Sequence, residues 1–450
     1  MDLENIGKFV LNNIPSTAEL QAEVYLTHSV HTSVSVLDQR IEEIKNTEET
    51  GFSLRVISKG KMGFAYSSDI SEKAILNTIH KALENQQHNA QDSYWNIANT
   101  SYPLEAEELN IFDTNLKILS IKDKIHLAMQ LESAAHQYDS RIKKTEQATY
   151  FDSISKVQLI NSAGLNFNYA ATSCGGMVDV IAEDKNQMES GGEMDFVVHL
   201  KDFNPQKVGR EAAHHACQML GATIPNTQKC SLVFSPEVGI QFLALLSRLF
   251  LASSVQKGKS LLANKLGQTI AATQVTLIDN GLIPSHLGTA PFDGEGIISQ
   301  KKVLVTNGVL QQYLYNIYTA NKDHTQSTGN AQRINYQSLP EIVPSNFYLE
   351  PGKITKEEII KKVVQGVYVT KVMGMHTANP ISGDFSIGIA GLEINNGHIT
   401  HPLRGGAIAG NLINLLKSIE EIGNDLRFLP FNGNIGSPTI LISNISVSGK

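Results

Sequence analysis

The sequence predicts an α+β protein, with mixed α/β amino-terminal and central domains followed by a β-rich carboxyl-terminal one. Three observations carry that expectation. Blocks of strand-like alternation are followed by helical stretches through the first 225 residues. In the second half, Asn307-Gly308 and Asn396-Gly397 each join apolar runs, and Asn-Gly readily supplies the positive φ of a tight hairpin. A chain of 450 residues is also too long for one core. The domains are expected at 1–102, 103–225 and 226–450.

The first section opens with a short helix. Strand-like runs follow at AEVYLTHSV, TSVSVLD, GFSLRVIS and GKMGFAYSS. The segment DISEKAILNTIHKALEN then predicts a helix, with Asp69 and Glu72 at the spacing of a capping box and Ile75, Ile79 and Leu83 on one stripe. A polar linker ending near Pro103 marks the first boundary.

The central section begins with a helix near Ser120, with Ile121, Ile125, Ala128 and Leu131 facing inward. Alternating runs come next: TYFDSISKVQLINSAGLNFNYAAT, GGMVDVIAED and EMDFVVHL. The following helix has Asn204 as N-cap, Pro205 at its first position and Gly221 past its end.

From residue 226 strands and turns dominate. Ser235-Pro236-Glu237 ends an apolar strand and opens a broadly apolar helix over 236–252. Thr355 and Glu358 form a second capping box, with Gly366 as the stop. A last helix buries Leu412, Leu415, Leu416, Ile419 and Ile422 and ends at Gly423.

Composition excludes several function classes. With 37 basic and 44 acidic residues the net charge is −7, which gives no field for nucleic acid or an anionic membrane. No stretch approaches the ~20 apolar residues of a membrane span, and the acidic start is expected to be neither signal peptide nor anchor. Cys174, Cys217 and Cys230 form no CxxC pair, so a reduced cytoplasmic compartment is expected.

Candidate chemistry is sparse. His-Glu-x-x-His is absent, and His28/His31 and His398/His401 are three apart in probable strands, which sends their side chains to opposite faces. His214 and His215 are neighbours on a helix, about 100° apart around its axis. The elbow pattern G-x-S-x-G is missing, since GDFSIG at 383–388 has one residue too many. Gly258-Lys259-Ser260 lacks the leading glycine of a phosphate loop, because Ser253 stands there. His376 and Asp384, flanked by Gly374 and Gly383, are the best candidates for a polar cleft, although a loop rich in turn residues is the simpler reading.

Glu237 is the sharper question. A carboxylate at a strand–helix boundary serves as general base in metal-dependent peptidases, yet at the first turn of a helix it also simply meets the positive end of the dipole.

Several stretches together resemble the TldD/PmbA family, the so-called modulators of DNA gyrase. They are GFSLRVISKGKMGFAYSSD near the start, then TAPFDGEG (289–296), NGVLQQYL, STGNAQR, ISGDFSIGIAG, NNGHIT, AIAGNL and EEIGNDL, in that order. In the TldD branch the segment at Glu237 carries His-Glu-x-x-x-His, and a cysteine near the carboxyl end completes a zinc site. Here Pro236 stands at the first His position and Gln241 at the second, while Glu237 keeps the acidic one. The cysteine region reads FNGNIGSPTILI (431–442), without a thiol.

The chain therefore resembles the PmbA branch, also called TldE. That resemblance implies no cofactor in this chain and zinc in a TldD-like partner subunit. It also implies a heterodimer with that partner, or a homodimer when alone, acting on unfolded peptides in degradation or leader removal. The alternatives are an autonomous hydrolase around His376 and Asp384, and a protein-binding modulator of gyrase.

Overall fold

The computed structural model describes residues 2–15, 17, 19–99 and 107–450. The boundary expected near residue 103 lies outside the described residues. The architecture is α+β, as the sequence predicts.

The amino-terminal half is built on one antiparallel sheet. Helix α1 (Leu3–Asn12) precedes β1 (Gln21–Leu37), β2 (Arg40–Ser58) and β3 (Lys61–Ser67), and α2 (Glu72–His88) follows. After α3 (Thr114–Ile118) and α4 (Ile121–Tyr138) the chain adds β4 (Ile142–Asn161), β5 (Asn166–Asp184) and β6 (Gln187–Val197), then α5 (Pro205–Gln218). The strand order is β3-β2-β1-β4-β5-β6. Strands β1 and β4 pair from Glu23↔Asn161 to Val36↔Ala148, so the two sequence sections share a single sheet.

Period-two alternation decides what each face does. Val24, Leu26, Phe52, Leu54 and Val56 face α1 and α2 in one core cluster. Farther along the sheet, Val34, Tyr150, Val178 and Val180 pack with Leu131 of α4 and Ala212 of α5. The intervening residues Glu23, Tyr25 and Arg55 fall on the opposite face.

The carboxyl-terminal half contains two six-stranded sheets and a two-stranded one. In chain order its elements are β7 (Gln228–Phe234), α6 (Pro236–Ser247), α7 (Ala252–Gln256), β8 (Leu277–Asn280), β9 (Lys301–Thr306) and β10 (Val309–Leu310). Then come α8 (Ile317–Lys322), β11 (Ala331–Gln332), β12 (Glu341–Ile342), β13 (Asn346–Leu349) and α9 (Lys356–Lys361). The series ends with β14 (Gln365–Met373), β15 (Asp384–Asn395), β16 (His398–Asn411), α10 (Leu412–Lys417), β17 (Ile419–Ile422), β18 (Arg427–Pro430), β19 (Asn434–Ser437) and β20 (Ile440–Ser448).

One sheet has the order β16-β15-β14-β7-β20-β17, and β16 also pairs with β20 through Ala407↔Ser448 and Ile408↔Val447. That extra pairing closes five strands into a ring and removes their edges. The other six-stranded sheet has the order β10-β9-β8-β13-β19-β18, and β11 pairs with β12. Helix α6 supplies Val238, Ile240, Leu243 and Leu246 to the core that both sheets share.

Several local expectations change in the fold. The cap of α2 is Ser71, whose hydroxyl accepts from Ala74 N at 3.4 Å; Asp69 instead accepts from Ser71 N in a turn before the helix. In α4 the cap at Ser120 is as expected, but Ile121 is 46% exposed and Ile125 only half-buried. Helix α6 stops at Ser247 and continues as a 3₁₀ turn over 248–250, so the apolar stretch bends rather than running straight to 252.

Gly366 does not stop a helix. It sits in β14 opposite Ser231, where an added Cβ would lie 2.5 Å from the Ser231 carbonyl oxygen. The 412–422 stretch also divides: α10 ends at Lys417, and Ile419–Ile422 pairs with β20, although all five predicted apolar positions are buried.

The two halves meet across a buried ionic seam. Glu23 and Arg55 are cross-strand partners on β1 and β2. Arg55 donates from Nε and Nη2 to the Glu23 carboxylate at 3.1 and 2.9 Å, and from Nη1 to Glu295 at 3.0 Å. Arg333 joins Glu23 at 2.5 Å and lies over the Tyr25 ring at 4.8 Å. Removing one member of such a network leaves the others charged and unpaired out of water. Arg55→Met is therefore expected to cost about 3–5 kcal/mol, measured as an earlier urea unfolding transition.

Candidate functional site

Glu237 is positioned by its own turn. Ser235 follows β7 and, as the N-cap, accepts from Val238 N at 3.4 Å, and Pro236 fills the first helical position where an N–H would be wasted. Pro236, Glu237 and Gln241 are half-buried while Val238, Gly239 and Ile240 between them are buried. Glu237 and Gln241, four apart, thus share the outward side of α6, and Pro236 precedes them at its first position.

Arg427, the first residue of β18, reaches this turn. Its guanidinium is paired with Glu237 and with Glu193 of β6, and its Nη2 donates to the Met194 carbonyl at 2.6 Å. One cation therefore ties the start of α6 to the edge of the amino-terminal sheet. Burial pushes the Glu237 carboxyl up, but the Arg427 charge and hydrogen bonds outweigh it and hold the group below its ordinary value. His215 of α5 approaches the far side of Glu193 at 3.7 Å.

The region where the resemblance places a cysteine also converges here. Strand β19 runs beside α6, so close that a Cβ on Gly239 would lie 2.2 Å from Ser437 Oγ. Ser437 is fully buried and its hydroxyl donates to the Pro438 carbonyl at 2.8 Å.

The side-chain donors at this turn are Glu237 and Gln241, while Ser437 lies against the buried Gly239 side of the helix. A zinc ion prefers imidazole, thiolate or a free carboxylate. Pro236 has no donor side chain, the Gln241 amide is a weak ligand, and Glu237 is engaged by a guanidinium. These residues do not fit a catalytic zinc, and no chemistry is assigned to one here. Among the described residues no three His, Cys, Asp or Glu side chains gather as metal ligands would.

The second candidate pair is placed differently. His376 lies in a 3₁₀ turn (Met375–Thr377) after β14, and Asp384 begins β15; both are exposed. The Asp384 carboxylate accepts from Asn411 Nδ2 at 2.8 Å, which holds it below the usual carboxylate range. The structure shows no hydrogen bond between His376 and Asp384.

The three cysteines are free and buried. Burial pushes the Cys174 thiol up to about 12 and the Cys230 thiol up to about 11, which leaves both protonated and unreactive at neutral pH. Arg427 and Glu193 are the participants that sequence reasoning missed. Neither belongs to a motif, and each lies about 200 positions or more from one of its partners.

Comparison with known proteins covers most of the chain. Residues 22–86, 115–220 and 227–449 match, in order, domain 1, the central domain and the C-terminal domain described for PmbA/TldA metallopeptidases. A metalloprotease PmbA homolog of Buchnera aphidicola is 27% identical over 458 residues, covering 100% of this chain and 99% of the relative. The metalloprotease PmbA of Escherichia coli O157:H7 is 27% identical, covering 95% and 92%. Among solved structures, a protein from Thermotoga maritima described as a modulator of a DNA gyrase superposes with a TM-score of 0.89 at 25% identity, covering 99% of this chain and 100% of that one. TldE from Thermococcus kodakarensis has the same fold, with a TM-score of 0.89 at 20% identity, covering 99% and 100%.

The Arg427 pair makes a pH prediction. A carboxylate whose folded pKa is depressed adds stability above its unfolded pKa and loses it as pH falls through the folded value. Arg427→Gln is expected to raise the Glu237 pKa towards its unfolded value, so that this acid-side loss becomes smaller and is complete at a higher pH. A side-chain carboxyl ¹³C titration of the variant beside the unaltered chain checks it.

Proposed function

We propose, from the premise that this chain belongs to the PmbA/TldD metallopeptidase family, that it is the PmbA/TldE-type subunit of a two-chain cytoplasmic peptidase, and that it holds no catalytic zinc of its own. The zinc resides in a TldD-like partner. This chain pairs with that partner and helps enclose unfolded peptides for degradation or leader removal.

One observation carries the proposal. The turn that would have to bind and use a metal is occupied by a closed ion pair, Glu237 with Arg427, and is flanked by Pro236 and Gln241. A general base must be free to take a proton from water. Glu237 gives its charge to a guanidinium that never deprotonates in this range. Three buried, reduced cysteines suit a cytoplasmic setting. No helix among the described residues is long and apolar enough to cross a membrane.

Metal analysis tests the assignment directly. The purified chain is expected to contain no stoichiometric zinc, and the complex with a TldD-like chain is expected to contain it. One zinc per lone chain, retained through dialysis against a weak chelator, would refute the proposal. In the complex, Glu237→Gln in this chain is expected to leave kcat for peptide cleavage nearly unchanged. A loss on the scale of a missing general base, roughly 10²–10⁴-fold, would place the chemistry here instead.

A further inference from the structure

A cavity of about 250 Å³ lies at the junction of the two halves, between Tyr25, Ser155 and Tyr169 of the sheet and the 287–294, 329–333 and Ser345 segments opposite. It borders the ionic seam but is not filled by it. We propose that this cavity binds a small organic ammonium ion, a primary amine of a few heavy atoms, on Asp293 and the hydroxyls of Tyr25 and Tyr169.

The first argument is charge. Glu23, Glu295 and Asp293 are buried against only two buried guanidinium groups, Arg55 and Arg333. The nearby Asp279 and Lys302 neutralise each other at 2.9 Å. One negative charge is therefore in excess at the buried edge of the cavity, where a proton or a cation would balance it. Asp293 is the carboxylate without an ion-pair partner among the described residues.

The geometry of Asp293 leaves room for one more donor. Its Oδ1 accepts from the N–H groups of Glu295 and Ile297, both at 2.9 Å, and its Oδ2 accepts from Ala331 N at 2.9 Å. A carboxylate has about four acceptor sites, so Oδ2 keeps a free lone pair beside the cavity. Burial, with the Glu295 charge adding to it, pushes the Asp293 carboxyl up to about 7 despite those three amides.

The second argument is independent of charge. Tyr25 is 7% exposed and lines the cavity, yet its hydroxyl has no hydrogen-bond partner among the described residues. The Tyr169 hydroxyl has none either. Tyr169 is half-buried, whereas a phenol as buried as Tyr25 ordinarily finds a partner. An ammonium group brings three donors and no acceptor, which suits a carboxylate and two phenol oxygens. The Tyr169 and Phe292 rings, edge to face at 5.1 Å, supply the apolar wall and a π-face for the cation. The Tyr25 face is already taken by Arg333.

Methyl-labelled alanine reports on the site, because Ala171 and Ala290 line it. Titration of the full chain with propylammonium chloride is expected to give saturable shifts of both methyl signals, while 1-propanol gives none. Affinity should fall as pH drops below about 7, where Asp293 takes up the competing proton. Tyr25, Tyr169, Glu295, Glu23, Arg55 and Arg333 are the other titratable or charged groups around it. Asp293→Asn should abolish the shifts. Because that change also disturbs a turn held by three amides, Tyr169→Phe is the second variant, expected to weaken binding roughly tenfold. Equal binding of the alcohol, no saturable shift with the amine, or full displacement of the amine by equimolar potassium would each overturn the proposal.

Discussion

Arg55 is the residue on which the arrangement of the two halves depends. Its guanidinium is held by Glu23 on the neighbouring strand and by Glu295 from a segment 240 positions away. The carboxyl-terminal segment answers in kind, because Arg333 returns to Glu23 and stacks on Tyr25. The same sheet face that exposes these charges would otherwise be apolar, and Val157, Leu159 and Phe167 do pack there against Phe292 and Ile317. An apolar contact alone tolerates sliding and rotation. Guanidinium forks on planar carboxylates do not, since buried donors misaligned with their acceptors lose energy on both sides. The seam fixes where residues 287–297 and 329–333 stand relative to the sheet.

Local chemistry was legible in the sequence where one or two residues determine the backbone. Asn307 and Asn396 both take φ near +50° with glycine next in line, as hairpin turns of this kind require. Thr355 with Glu358 and Ser235 with Pro236 both open helices as expected. What failed was the end of elements. Helical spacing misplaces Gly366 and residues 419–422, because the backbone at each is claimed by a strand partner, Ser231 in one case and Ile440–Ile442 in the other. Tertiary pairing overrides a propensity worth a fraction of a kcal/mol per residue.

Function was legible in a different proportion. The family pattern was readable because its turn residues sit in fixed order, and the positions of Pro236, Glu237 and Gln241 followed from it. What Glu237 does was not readable, since its fate is set by Arg427, 190 positions later in a segment without any motif. Glu193 was hidden more deeply. It occupies an ordinary strand whose alternation gives no sign that one carboxylate will be drawn under the next module.

The two carboxylate clusters at this junction follow one rule with opposite outcomes. At α6, Glu237 and Glu193 share Arg427, so negative charge is also in excess there. Glu237, however, is 31% exposed in its side chain and lies at a helix N-terminus, where water and the dipole absorb the difference. At the seam the groups are almost wholly buried, and the excess charge is met only by three backbone amides and the cavity beside Asp293. Identical side-chain chemistry thus gives a closed pair in one place and, in the other, a carboxylate beside a cavity with no ion-pair partner among the described residues. Burial, rather than residue type, separates them: a missing countercharge is costlier at the edge of a buried cavity than at a partly exposed helix start.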